Sequence, residues 1–256
     1  STFQPNIIQD NYLIYHNVSF IYKNIFNNIT EILITNKTTI YELIKFKIYL
    51  TGCERSKIKT VVFYKIVNNY IRKIIKEIID IINKFKIKIY FYSSCLEELI
   101  LNNIEYVSFT DINIDTITIR ANKDCDCDIF FDKITINKLT ITGVDSKNMS
   151  LQILKGCRIN GNIDISNFKK LSLSIERTDF INGPSINITN CVNIDSLIMV
   201  NIIKQPIIVL ESSVLNKFIL TNIKWISYPI ECIKLIIMNY KIKQFTSIYI
   251  KYTTVF

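Results

Sequence analysis

The chain has 256 residues, 49% apolar and 21% charged, with a formal net charge of +9. That apolar share supports a substantial core and excludes global disorder. No run of about 18 uncharged apolar residues is present, so no membrane-spanning helix is expected.

Ile, Asn, Lys and Tyr dominate, all with AT-rich codons, so each Ile is weaker evidence of a core position than usual. The same vocabulary favours strands, because Ile is β-branched. The opening Ser1–Pro5 lacks the basic end and apolar stretch of a secretory signal. Two short apolar stretches, Tyr12–Tyr15 and Ile32–Ile34, read as strands. Thr38-Thr39 is placed to cap a helix from Ile40 to about Leu50, ended by Gly52. From Ser56 to Phe85 apolar residues recur at three-four spacing, which predicts one long amphipathic helix.

After Lys86 the period changes to two. Short strands are expected at 86–92, 106–109, 115–120, 134–141, 151–154, 162–165, 171–175, 185–188, 197–200, 206–210, 218–220 and 234–238. Leu96–Leu101 reads as a helical turn between the first two. Pro184, Pro206 and Pro229 fall 22 and 23 residues apart, each after an aliphatic burst. A rhythm of that length is the mark of a stacked coil. The expected fold is therefore α+β and β-rich. Leucine-rich-repeat-like or β-solenoid coils over 86–256, with two strands per turn, are capped by an N-terminal α-rich segment, 1–85. An antiparallel β-sandwich is the alternative.

Val214-Leu-Asn-Lys-Phe-Ile-Leu-Thr-Asn-Ile-Lys-Trp-Ile-Ser-Tyr-Pro229 and, more loosely, Ile194–Pro206 resemble a leucine-rich-repeat line. Over residues 134–245 the chain is similar to divergent leucine-rich-repeat proteins of AT-rich large DNA viruses, including those of insect poxviruses. Lys204-Gln-Pro-Ile207 also resembles the related Phe-Asn-Ile-Pro repeats of giant viruses and slime moulds. The resemblance implies an interaction scaffold, a viral accessory or host-interaction factor, and transfers no catalytic residue.

Little in the residues themselves suggests an enzyme. His16 is the single histidine, and five glycines leave little material for a phosphate loop or a dinucleotide fingerprint. Asp124-Cys-Asp-Cys-Asp128 opens like a calcium loop, but Ile129 stands where the turn glycine belongs and Thr135 where the bidentate glutamate belongs. A solvated acidic bend is the expectation there, and no metal or cofactor is assigned. The seven cysteines are odd in number and scattered, as buried thiols of a reducing compartment would be. An intracellular, cytoplasmic protein is expected.

Charge is segregated. Residues 45–88 carry twelve Lys or Arg against three acids, and residues 97–132 carry nine acids against two basic residues. The sequence thus points to a non-enzymatic protein-binding scaffold whose partner it does not name. A nucleic-acid-binding surface at Lys65, Arg72, Lys73 and Lys76 of the basic helix, or a structural role in a particle or assembly, is the alternative.

Overall fold

The computed structural model describes residues 31–52, 59–67, 72–82, 84–85, 87–202, 206–211, 213, 215–221, 235–238 and 247–251. β-Branched and aromatic runs separated by tight corners make it a parallel β-solenoid. Every strand ladder is parallel, which removes the antiparallel sandwich. A first face runs through nine strands in the order β1-β2-β3-β4-β5-β7-β10-β12-β14. These are β1 (Glu31–Thr35), β2 (Thr60–Tyr64), β3 (Lys88–Ile104), β4 (Tyr106–Ala121), β5 (Cys127–Ile153), β7 (Ile163–Glu176), β10 (Asn193–Val200), β12 (Lys217–Thr221) and β14 (Ser247–Lys251).

The first two coils close differently from the rest. β1 is followed by α1 (Ile40–Gly52) and β2 by α2 (Arg72–Ile82). Glu31 pairs with Thr60 and Thr60 with Lys88, steps of 29 and 28 residues that leave room for a helix. Thr39 caps α1 as the sequence suggests: its hydroxyl accepts from the Glu42 N–H at 3.1 Å, and Glu42 accepts from the Thr39 N–H at 3.0 Å. Leu43, Phe46 and Leu50 of α1 and Ile75, Ile78, Ile79 and Ile82 of α2 are buried in the same core as the sheet. Tyr41, Ile44 and Ile48 remain on the exposed side of α1.

The long helix expected over 56–85 is not formed. Its first part contains β2, and among the described residues of that span only Arg72–Ile82 is helical. Thr60-Val-Val-Phe-Tyr64 is β-branched and aromatic throughout, and the slot between β1 and β3 offers ladder bonds on both sides. Tertiary pairing overrides a helical spacing there. The turn expected at Leu96–Leu101 is likewise strand. Exposed Glu97 and Glu98 mark a corner where inward and outward positions reset, so the spacing imitates a helix. Across residue 85 the sheet itself is continuous; what changes is the closure of each coil, from helix to strand.

From β3 onward each coil has three sides, not the two expected. In β3, β4 and β5 the register runs through 89–92, 94–96 and 98–101 against 107–110, 112–114 and 116–119, and on to 129–132, 134–136 and 138–141. Later coils break the same path into separate strands. The second side continues in β6 (Arg158–Ile159) and β8 (Asp179–Phe180), and the third in β7, β9 (Ser185–Thr189), β11 (Ile207–Glu211) and β13 (Leu235–Met238). The proline rhythm is physical: Pro184 and Pro206 stack at the entries of β9 and β11, where the Ile207 N–H donates to the Pro184 carbonyl at 3.0 Å. Pro229 lies outside the described residues, as does the strand expected at 12–15.

Inward positions stack in columns. Ile34, Phe63, Phe91, Phe109 and Phe131 lie in one register and are all buried. Phe63 and Phe91 stack with centroids 4.8 Å apart, Phe91 and Phe109 at 5.2 Å, and Phe109 meets Phe131 edge-on at 5.2 Å. Polar side chains ladder along the outside: the Asn137 amide donates to Asp115 at 2.8 Å, and the Asn160 amide to Asn137 at 2.9 Å.

Candidate interaction surface

On the first face, alternate residues point away from the inner core, and in the early coils five of them are aromatic. Tyr64 and Tyr92 share one register position, while Tyr90 and Phe130 share another with Leu33, Val62 and Ser108. Tyr90 and Tyr92 are parallel with centroids 6.0 Å apart. Tyr106 then links Tyr90 at 5.5 Å to Phe130 at 5.4 Å. The outer side here is therefore a ladder of rings across β2, β3, β4 and β5, in which Tyr92 is buried with Leu33 and Val62 in a small second cluster while Tyr64, Tyr90, Tyr106 and Phe130 are half-buried. Further along the same face the outward residues become Ser150, Gln152, Ser172 and Ser174, so the ladder is a bounded patch. Burial pushes the Tyr92 phenol up to about 12, and burial with a hydrogen bond to Tyr90 raises that of Tyr106 further. Both rings therefore stay neutral across the ordinary range of pH.

Beside this patch lies an open notch of about 700 Å³. Coil length makes it. Ile89 pairs with Val107 and Val107 with Ile129, so the β3–β4 coil takes 18 residues and the next takes 22. The shorter coil passes from third to first face through Ile104-Glu105-Tyr106, whereas its neighbour uses Asn122–Asp126 as a projecting loop. Glu105, Asp124, Asp126 and Asp128 line the resulting recess, with Tyr106, Lys88 and Lys147 among its walls. The Lys88 ammonium lies over the Tyr106 ring, 4.9 Å from its centroid. Partial burial and the neighbouring Asp126 raise the Asp128 carboxyl, against the opposing pull of Lys88.

The Asp-Cys-Asp-Cys-Asp string thus borders the notch with its three carboxylates exposed. Cys127 turns inward and is fully buried, whereas Cys125 is half-buried in the loop. Among the described residues no group of three His, Cys, Asp or Glu side chains is arranged to hold a metal ion. The four basic residues do not share one helical face. Lys65 sits in the corner after β2 at φ 54°, with its ammonium 5.2 Å from the Tyr64 ring centroid. Lys73 and Lys76 are exposed on α2, and Arg72 supplies its first residue. His16 lies outside the described residues. The aromatic ladder was missed in the sequence because its rings come from four strands; Tyr90-Phe91-Tyr92 was its one local sign.

The thiols divide by environment. Cys127, Cys157 and Cys191 are buried, but Cys95 is exposed. Burial pushes Cys127 up to about 12 and Cys157 up to about 11. Only the thiolate reacts, so maleimide labelling of the folded protein at pH 8 is expected at Cys95 and not at Cys127 or Cys157. Peptide mapping of the labelled chain checks this, and rapid native-state labelling of Cys127 would contradict the placement. An unfolded thiol ionises near pH 9 and the folded Cys127 near 12. The stability it contributes is whole below about pH 9 and is lost as pH rises through that window.

Fold and surface together define a parallel β-solenoid whose first face carries a bounded aromatic patch beside an acidic notch. In comparisons with known proteins, no family model matches the chain, and no curated protein or solved structure does either.

Proposed function

We propose that this chain is a non-enzymatic protein-binding scaffold that recognises its partner on the outer aromatic patch of the first face. The observation that carries the reading is the run of half-buried rings Tyr64, Tyr90, Tyr106 and Phe130 on the outer side of the sheet, backed by the buried Tyr92 and set in place by strand pairing. Tyrosine and phenylalanine give large contact area at small entropic cost, and rings fixed by strand pairing have already lost their freedom before a partner arrives. The proposal extends to the leucine-rich-repeat-like kinship and to an intracellular viral accessory role acting on a host protein.

Phe130→Ser and Tyr90→Ser alter outward side chains and leave the inward columns untouched. Affinity capture from host lysate, quantified by mass spectrometry, is expected to yield a protein retained by the wild type and lost from both variants. Identical captured sets from all three would overturn the reading. A nucleic-acid role rests on exposed Lys73 and Lys76 and makes a different forecast. Reversing Lys65, Arg72, Lys73 and Lys76 to Glu would then sharply reduce retention on heparin and the salt-dependence of nucleic-acid binding. Unchanged retention removes that role.

A further inference from the structure

We infer that the partner segment docking on the aromatic patch is cationic, carrying a Lys or Arg side chain that enters the notch at Glu105, Asp124, Asp126 and Asp128 while its apolar residues lie along the rings. This rests on the protein-binding reading above and specifies its chemistry. Three observations select the occupant. First, patch and notch are continuous, because Tyr106 belongs to both: it contacts Tyr90 and Phe130 in the ladder and lines the recess. An apolar segment lying on the rings therefore borders the carboxylates.

Second, the charge balance is uneven. Four carboxylates face two ammonium groups, Lys88 and Lys147. Burial first, and then the adjacent Asp126, raise the proton affinity of Asp128, against the pull of Lys88. This acidity is local, since the chain as a whole is +9. A cation attracted here is drawn by the notch and not by the molecule's overall field. Third, the aromatic wall already accepts an ammonium group, as Lys88 over Tyr106 shows. Charge and ring together suit Lys or Arg beside an apolar anchor.

The test uses the full chain and three synthetic peptides of equal length, alternating Leu with Lys, Glu or Ser, in calorimetric or anisotropy titrations at physiological salt. The Lys–Leu peptide is expected to bind about tenfold or more tighter than the Glu–Leu peptide. Combined Asp124→Asn, Asp126→Asn and Asp128→Asn should abolish that preference, while Phe130→Ser should weaken the Lys and Ser peptides alike. Circular dichroism confirms that each variant is folded; loss of fold in the triple variant transfers the test to Asp126→Asn alone. Equal binding of all three peptides, still sensitive to Phe130→Ser, overturns the cationic partner and spares the docking face. Binding indifferent to Phe130→Ser and Tyr90→Ser overturns both. No binding of the Lys–Leu peptide overturns the inference.

Discussion

Replacing Phe109 with alanine is expected to destabilise the solenoid by about 3–5 kcal/mol. The ring lies between Phe91 and Phe131, with centroids 5.2 Å away on either side, and is almost wholly buried. Truncation removes apolar area from the core and also two ring contacts, each worth about 0.5–1.5 kcal/mol beyond burial. Relaxation is restricted because the coils above and below are fixed by ladders with Tyr92, Thr110 and Asp132 in register. The cavity therefore persists, and the cost falls at the upper end of the range. Phe109→Leu should cost about 1.5 kcal/mol or less. Ser108→Ala, one residue along and outward-facing, should stay within about 0.5 kcal/mol. Urea denaturation of the three variants measures the differences. A Phe109→Ala midpoint equal to that of Ser108→Ala would show that the ring column does not hold these coils together.

That column also shows what the sequence made visible. Period-two alternation in Tyr106–Phe109 and Asp115–Arg120 placed strands correctly, since inward and outward residues differ in kind. It misled where both faces of a strand are apolar. Val61, Val62 and Phe63 are all buried, so β2 has no polar side and its residues fitted a helical stripe as readily. The number of sides per coil was hidden for another reason. The corner after each first-face rung from β2 to β10 is turned by a left-handed residue, and these residues are Lys65, Ser93, Asp111, Lys133, Gly156, Arg177 and Asn201. Only Gly156, Asp111 and Asn201 are types that signal such a turn. The others are held by the stack. The Lys65 N–H donates to the Tyr92 carbonyl, the Lys133 N–H to that of Lys155, and the Arg177 N–H to that of Val200. Bonds from coil to coil offset a strain of about 1–2 kcal/mol per residue, so the chain does not need glycine there.

The candidate surface was legible only in fragments. The acidic excess over 97–132 was visible, but the notch arises from an 18-residue coil beside a 22-residue one, a difference in spacing with no motif attached. The third-to-first corner is more readable. Asn103, Asn167 and Asn190 turn it with φ of 54°, 65° and 52°, and asparagine tolerates that conformation. An Asn-rich chain therefore supplies corners of this kind readily, while the same richness hides which asparagines turn them.

Gly161→Ala is expected to cost about 3 kcal/mol or more, above the usual range for a small overpacking change. A Cβ at Gly161 would sit 1.8 Å from the Asn137 carbonyl oxygen and 3.0 Å from its carbon. Both are backbone atoms, so no rotamer change relieves the overlap. The coils must separate, and with them the Asn160–Asn137–Asp115 ladder and the bond from the Leu139 N–H to the Asn162 carbonyl at 3.1 Å. Gly183 provides the contrast. It adopts φ +61° with nothing within 4 Å of an added Cβ, so Gly183→Ala meets conformational strain alone, about 1 kcal/mol. The two substitutions add the same methyl group and differ in what it meets. Thermal and urea unfolding should therefore rank Gly161→Ala well below Gly183→Ala, with proteolysis of the former beginning near residues 137–162. Equal destabilisation would mean that close coil-to-coil approach at Asn137 does not govern stability there, and that backbone conformation does.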